Sequence, residues 1–92
     1  MAENLVKMLA EIKQKLQKNK KYGRNIKSVY LNTFEKEHHS KVHINVETNL
    51  SEQEDCRELG RILTDIQDDY KNIADIGFHQ YSYPGQYNNG NN

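Results

Sequence analysis

The sequence predicts a small α+β domain in the order α-β-β-α-β, with a three-stranded sheet covered on one face by two helices. Three observations lead there. Apolar residues recur at helical spacing over residues 2–20 and again over 51–73. They alternate with period two over residues 41–48. Two shorter alternating runs, 26–36 and 76–83, supply the other strands.

In the first helix Leu5, Leu9, Ile12 and Leu16 form one stripe, with Val6 and Met8 at its margins. Lysines at 7, 13, 15, 18, 20 and 21 fill the other faces and crowd its C-terminal end. There the helix dipole favours cations. Gly23 suits the stop that follows.

In the first strand Val29, Leu31 and Thr33 share one side, and Tyr30, Asn32 and Phe34 the other. A polar turn, Glu37-His38-His39-Ser40, leads into the second strand. Val42, Ile44 and Val46 face the core there, while Lys41, His43, Asn45 and Glu47 face out. The two strands make an antiparallel hairpin.

The second helix carries the clearest pattern. Cys56, Leu59, Ile62, Leu63, Ile66, Tyr70 and Ile73 follow helical spacing over about 26 Å, at ~1.5 Å per residue. Ser51 and Glu54 have the spacing of a capping box. In the third strand Ile76 and Phe78 face opposite to Gly77, His79, Tyr81 and Tyr83. Pro84-Gly85 ends it, and the Asn-rich remainder reads as a flexible polar tail. The expected organisation is one domain over 1–83 with a tail over 84–92.

A direct crossover makes the second and third strands parallel; the alternative places another strand between them. The element order loosely resembles a ferredoxin-like βαββαβ fold missing its first strand. A second copy of the chain could then fill the gap, and a homodimer is expected. A low apolar fraction of 35% and the absence of tryptophan point the same way, because a thin core gains from association.

Net charge is zero but unevenly spread. Residues 1–46 hold ten Lys/Arg and four acids; residues 47–92 hold three Lys/Arg and nine acids. Either the basic and acidic helices lie side by side, or the basic half meets a polyanion. The second account would use Lys18, Lys20, Lys21, Arg24 and Lys27 as phosphate contacts. No zinc-finger spacing, GXXG loop or RNA-recognition consensus accompanies them.

The candidate binding surface is the sheet face away from the helices, with Tyr30, Phe34, His43, His79, Tyr81 and Tyr83. Flat amphipathic side chains suit a protein interface or the stacking of bases. The expected function is therefore non-enzymatic binding of another macromolecule. A protein partner, self or foreign, is expected first and nucleic acid second. Lysine- and asparagine-rich domains of this size without motifs resemble small accessory or inhibitor proteins of bacteria and phages.

No nucleophile elbow, phosphate loop, dinucleotide fingerprint or zinc-protease motif is present, so no catalytic residue is expected. No cofactor is expected either. His38, His39 and His43 lack the converging spacing of a metal site. Cys56 falls on the apolar stripe among acids, as a small buried residue would. A single cysteine and no leader-like or membrane-length apolar run give a cytoplasmic expectation with no membrane partner.

Overall fold

The apolar stripes form the helices that their spacing requires, and the alternating runs form strands. The computed structural model describes residues 2–32, 41–82 and 86–87. In chain order these are α1 (Ala2–Gln17), a 3-10 turn (Gly23–Asn25), β1 (Ile26–Leu31), β2 (Lys41–Thr48), α2 (Gln53–Tyr70), β3 (Asp75–Ser82) and β4 (Gln86–Tyr87). The fold is α+β.

The sheet runs β1-β2-β3-β4. β1 and β2 are antiparallel, with Val29 opposite Val46 and Leu31 opposite Ile44. β2 and β3 are adjacent and parallel along their whole length, from Lys41 beside Asp75 to Thr48 beside Ser82. No strand intervenes, so the gap that the ferredoxin-like comparison implies is closed within one chain. Part of the expected tail adds a short strand instead: β4 lies antiparallel to the end of β3, Tyr87 opposite Tyr81.

Both helices lie on one face, α1 against β1 and α2 against β3. Ile12, Leu16, Ile44, Val46 and Leu59 are almost fully buried at the centre. Side chains of this kind contribute about 1.5–3 kcal/mol each when removed from water.

The core ends in polar residues where β2 and β3 meet the start of α2. Thr48, Gln80 and Ser82 are buried there. Each finds a backbone partner. Gln80 Nε2 donates to the Cys56 carbonyl at 2.8 Å, and Ser82 Oγ to the Leu50 carbonyl at 2.6 Å. The Leu50 N–H donates to Thr48 Oγ1 at 3.1 Å. These bonds fix α2 to the sheet where the apolar supply runs out.

Several boundaries differ from the sequence reading. α1 stops at Gln17, short of residue 20. The Asn19 side chain stops it by accepting the backbone N–H groups of Lys21 and Tyr22 at 3.0 and 2.8 Å. Gly23 is required by close approach, since a Cβ there would lie 2.3 Å from the Gln17 carbonyl oxygen. The capping box does not form: the N-cap of α2 is Glu52, with no side-chain cap bond. Glu54 and Asp55 still place negative charge in the first turn, where the dipole favours it. α2 ends at Tyr70, so Ile73 falls beyond the stripe and is 69% exposed.

Candidate functional site: the open face of the sheet

Period-two alternation sends one set of side chains into the core and the other to the opposite face. The outward set comprises Ser28, Tyr30 and Asn32 from β1 and the residue after it, His43, Asn45 and Glu47 from β2, and Gly77, His79 and Tyr81 from β3. No described element covers this face. Strand register brings together four of the expected partner-binding residues, Tyr30, His43, His79 and Tyr81. Phe34 and Tyr83 lie outside the described residues, as do His38 and His39.

Cross-strand hydrogen bonds organise the face. Glu47 is its centre: Oε1 accepts Ser28 Oγ at 2.8 Å and Oε2 accepts the Tyr30 hydroxyl at 2.9 Å. The bond to Glu47 holds the Tyr30 phenol above its ordinary value, because ionising it would set two negative charges together; Asn45 opposes this. Beside them, Asn32 Nδ2 donates to Asn45 Oδ1 at 3.3 Å. Asn45 stands between Tyr30 and His79 in the register and is only 7% exposed despite facing outward.

His43 Nδ1 and His79 Nε2 lie 2.9 Å apart, and the ring centroids 5.2 Å apart with planes inclined by 24°. The centroid separation is close to the N···N distance plus the two ring radii. Both nitrogens therefore sit near the line of centres, and the contact is an in-plane hydrogen bond rather than a stack of faces. One ring donates and the other accepts, so the two tautomers are coupled. Gly77 lies beside His43 in the register, and a Cβ there would meet the His43 ring at 3.5 Å.

The basic residues separate into two groups. Lys21 Nζ pairs with Glu58 on α2 at 3.0 Å, and Lys15 lies 6.0 Å from the centre of the Tyr70 ring. Lys13, Lys18, Lys20, Arg24 and Lys27 are exposed, with no ion-pair partner among the described residues. Both accounts of the charge asymmetry thus retain some residues.

Tyr22 is the residue that sequence reasoning missed most plainly. It is 2% exposed, and its hydroxyl donates to Asp55 at 3.1 Å and Glu58 at 2.8 Å. Burial pushes its phenol well up, and the bonds to Glu58 and Asp55 add to that. The bonds from Lys21 and Tyr22 hold the Glu58 carboxyl below its usual range. The signal available was weak: one aromatic between lysines and Gly23. Glu47 was legible in principle, because aligning the hairpin puts it opposite Ser28 and within reach of Tyr30.

Other chemistry finds little support among the described residues. No three His, Cys, Asp or Glu side chains converge to hold a metal. Cys56 is buried, and burial raises its thiol. A groove of about 450 Å³ between the start of α1 and the α2–β3 connection is lined by Leu5, Met8, Val42, Ile73 and Ala74. Lys71 and Asp75 are its charged residues, without a nucleophile beside a base. No described helix is long and apolar enough to cross a membrane. Comparison of the chain with protein-family models, curated proteins and solved structures finds no match.

Proposed function

We propose that this chain is a non-enzymatic binding protein that docks the open face of its sheet on another protein. One observation carries the reading. A sheet face left bare by both helices presents Tyr30, 40% exposed, in a layer of amphipathic side chains already joined across the strands. Side chains held in place before binding lose less rotamer freedom on docking. Tyrosine also contributes a large contact area with a polar end. The mode of action is occlusion of the partner's surface, as in a small accessory or inhibitor protein of a reducing compartment such as the bacterial cytoplasm.

Glu47 favours a protein partner over a nucleic acid, because a phosphate backbone crossing this face would meet a carboxylate at its centre. The exposed cations Lys18, Lys20, Arg24 and Lys27 favour the second reading, a polyanion along the α1–β1 connection. Fluorescence anisotropy with single- and double-stranded DNA and RNA at low salt separates the two. No micromolar binding is expected. Tight binding that falls steeply with salt would replace the protein-partner reading with the nucleic-acid one.

A further inference from the structure

We infer that β1 is a self-pairing edge, through which two copies of this chain join antiparallel into one continuous sheet. The inference stands on the backbone of β1 and not on what the open face binds.

The hydrogen-bond pattern of the hairpin decides which groups of β1 are available. The Asn32 N–H donates to the His43 carbonyl at 2.8 Å, and these two residues are opposite in the register of the hairpin. They form a hydrogen-bonded pair, and such pairs alternate along an antiparallel ladder. Ser28 and Tyr30 therefore also direct N–H and C=O toward β2. Val29 and Leu31 direct theirs away from it, toward the outer edge. β1 is the terminal strand of the sheet. Among the described residues nothing donates to or accepts from the backbone of Val29 or Leu31 on that side. An edge of this kind is a template for another strand.

One register fits best. The ladder is irregular between Ile26 and Ser28, where the bulge sits with Lys27. Pairing that includes Lys27 would cross this irregularity. Centring the two-fold axis on Tyr30 avoids it. Val29 of each copy then pairs with Leu31 of the other, and each pair exchanges both backbone bonds. Tyr30 meets its own counterpart in the close, non-hydrogen-bonded position, where aromatic pairs are favourable. The second copy suits the site because one strand supplies both halves of the pairing, as a two-fold interface requires.

The flank of α1 agrees. Glu11 and Lys15 turn toward Tyr70 of α2. Val6 is nine positions before Lys15, two and a half turns at about 3.6 residues per turn, so it lies on the opposite flank. α1 packs on β1, so that flank overlooks the β1 edge. Val6 is 65% exposed there, an apolar side chain that a second α1 would shield. In the joined sheet all four helices share one face, and the open faces of the two copies run together.

Sedimentation of the wild-type protein across micromolar concentrations reads the association directly. The expected species has twice the 10.8 kDa chain mass. A monomer throughout would overturn the inference. The register is read by oxidation of Tyr30→Cys in a Cys56→Ala background, with folding checked by circular dichroism. Non-hydrogen-bonded partners lie about 4.5 Å apart at Cα, within disulfide range. A cross-linked dimer is therefore expected. Ser28→Cys in the same background should stay uncrosslinked, since those positions would be about 14 Å apart along the strands. A dimer that cross-links through Ser28→Cys and not through Tyr30→Cys would overturn it too.

Discussion

The two faces of the sheet carry side chains from the same three strands and use them in different ways. The covered face is apolar at its centre, with Ile44, Val46 and Ile76 packed against Ile12, Leu16, Leu59 and Leu63. The open face holds together by side-chain hydrogen bonds, with Glu47, Asn45 and the His43–His79 pair joining adjacent strands. Stability on the first comes from excluding water. The second gains modestly from each bond, because its groups exchange one polar partner for another, at roughly 0.5–1.5 kcal/mol net per bond.

The largest contrast between the faces should appear on truncation. Leu59 is fully buried. Leu59→Ala should cost about 2–5 kcal/mol, the range for deleting a buried leucine side chain. Tyr30→Ala removes one bond to Glu47 and a half-exposed ring, and should cost about 1 kcal/mol. Denaturant unfolding of both variants measures the difference. Equal losses would mean that the open face is structural.

The seam between the helices sharpens the comparison through pH. Burial, and then the bond to Glu11, push the Tyr70 phenol up to about 12, and Tyr22 is shifted in the same direction. The folded state therefore keeps these protons after the unfolded chain has lost them. Their contribution is fully present below pH 10 and lost as pH rises from there toward 12. Glu58 works in the opposite direction. Its carboxyl is held low, so its contribution is present above the ordinary carboxylate value and is lost as pH falls through the lowered one. Melting temperature against pH should decline at both ends. Tyr70→Phe should flatten the alkaline decline.

The smallest expected effect is a gain. Gly60 lies inside α2, and a Cβ there would meet only Gln80 Nε2, at 3.5 Å, an ordinary contact. Gly60→Ala should stabilise the fold by about 0.5–1 kcal/mol, through reduced backbone entropy in the unfolded chain. A loss would show that the Gln80 bond to Cys56 tolerates no displacement.

Local pattern and long-range pairing were unequally legible in the sequence. Val42, Ile44 and Val46 announce their strand, and the stripe of α2 announces its helix, because each pattern is set by backbone period alone. Tyr22 could not be placed inside, since its hydroxyl partner lies 36 residues away in the chain. Alternation puts Gln80 on the covered face, but its bond to the Cys56 carbonyl, 24 residues away, is not encoded locally. Ile73 fits the helical period but lies beyond the last turn. The adjacency of β2 and β3 depends on how α2 crosses the sheet, which no local spacing encodes. Of the candidate face, Tyr30, His43, His79 and Tyr81 followed from alternation. The bonds that organise it around Glu47 followed only from register.

The central claim is that the open face recognises a protein partner without carrying the fold, and a double variant on β3 tests it most directly. His79→Ala with Tyr81→Ala alters the open face two strands away from the β1 edge, leaving the core untouched. Affinity capture from cell extract with wild-type and variant protein, paired with thermal unfolding of each, reads both halves of the claim. The account predicts a partner retained by the wild type and lost by a variant that still unfolds cooperatively near the wild-type temperature. A folded variant that captures the same partner as well as the wild type would contradict it.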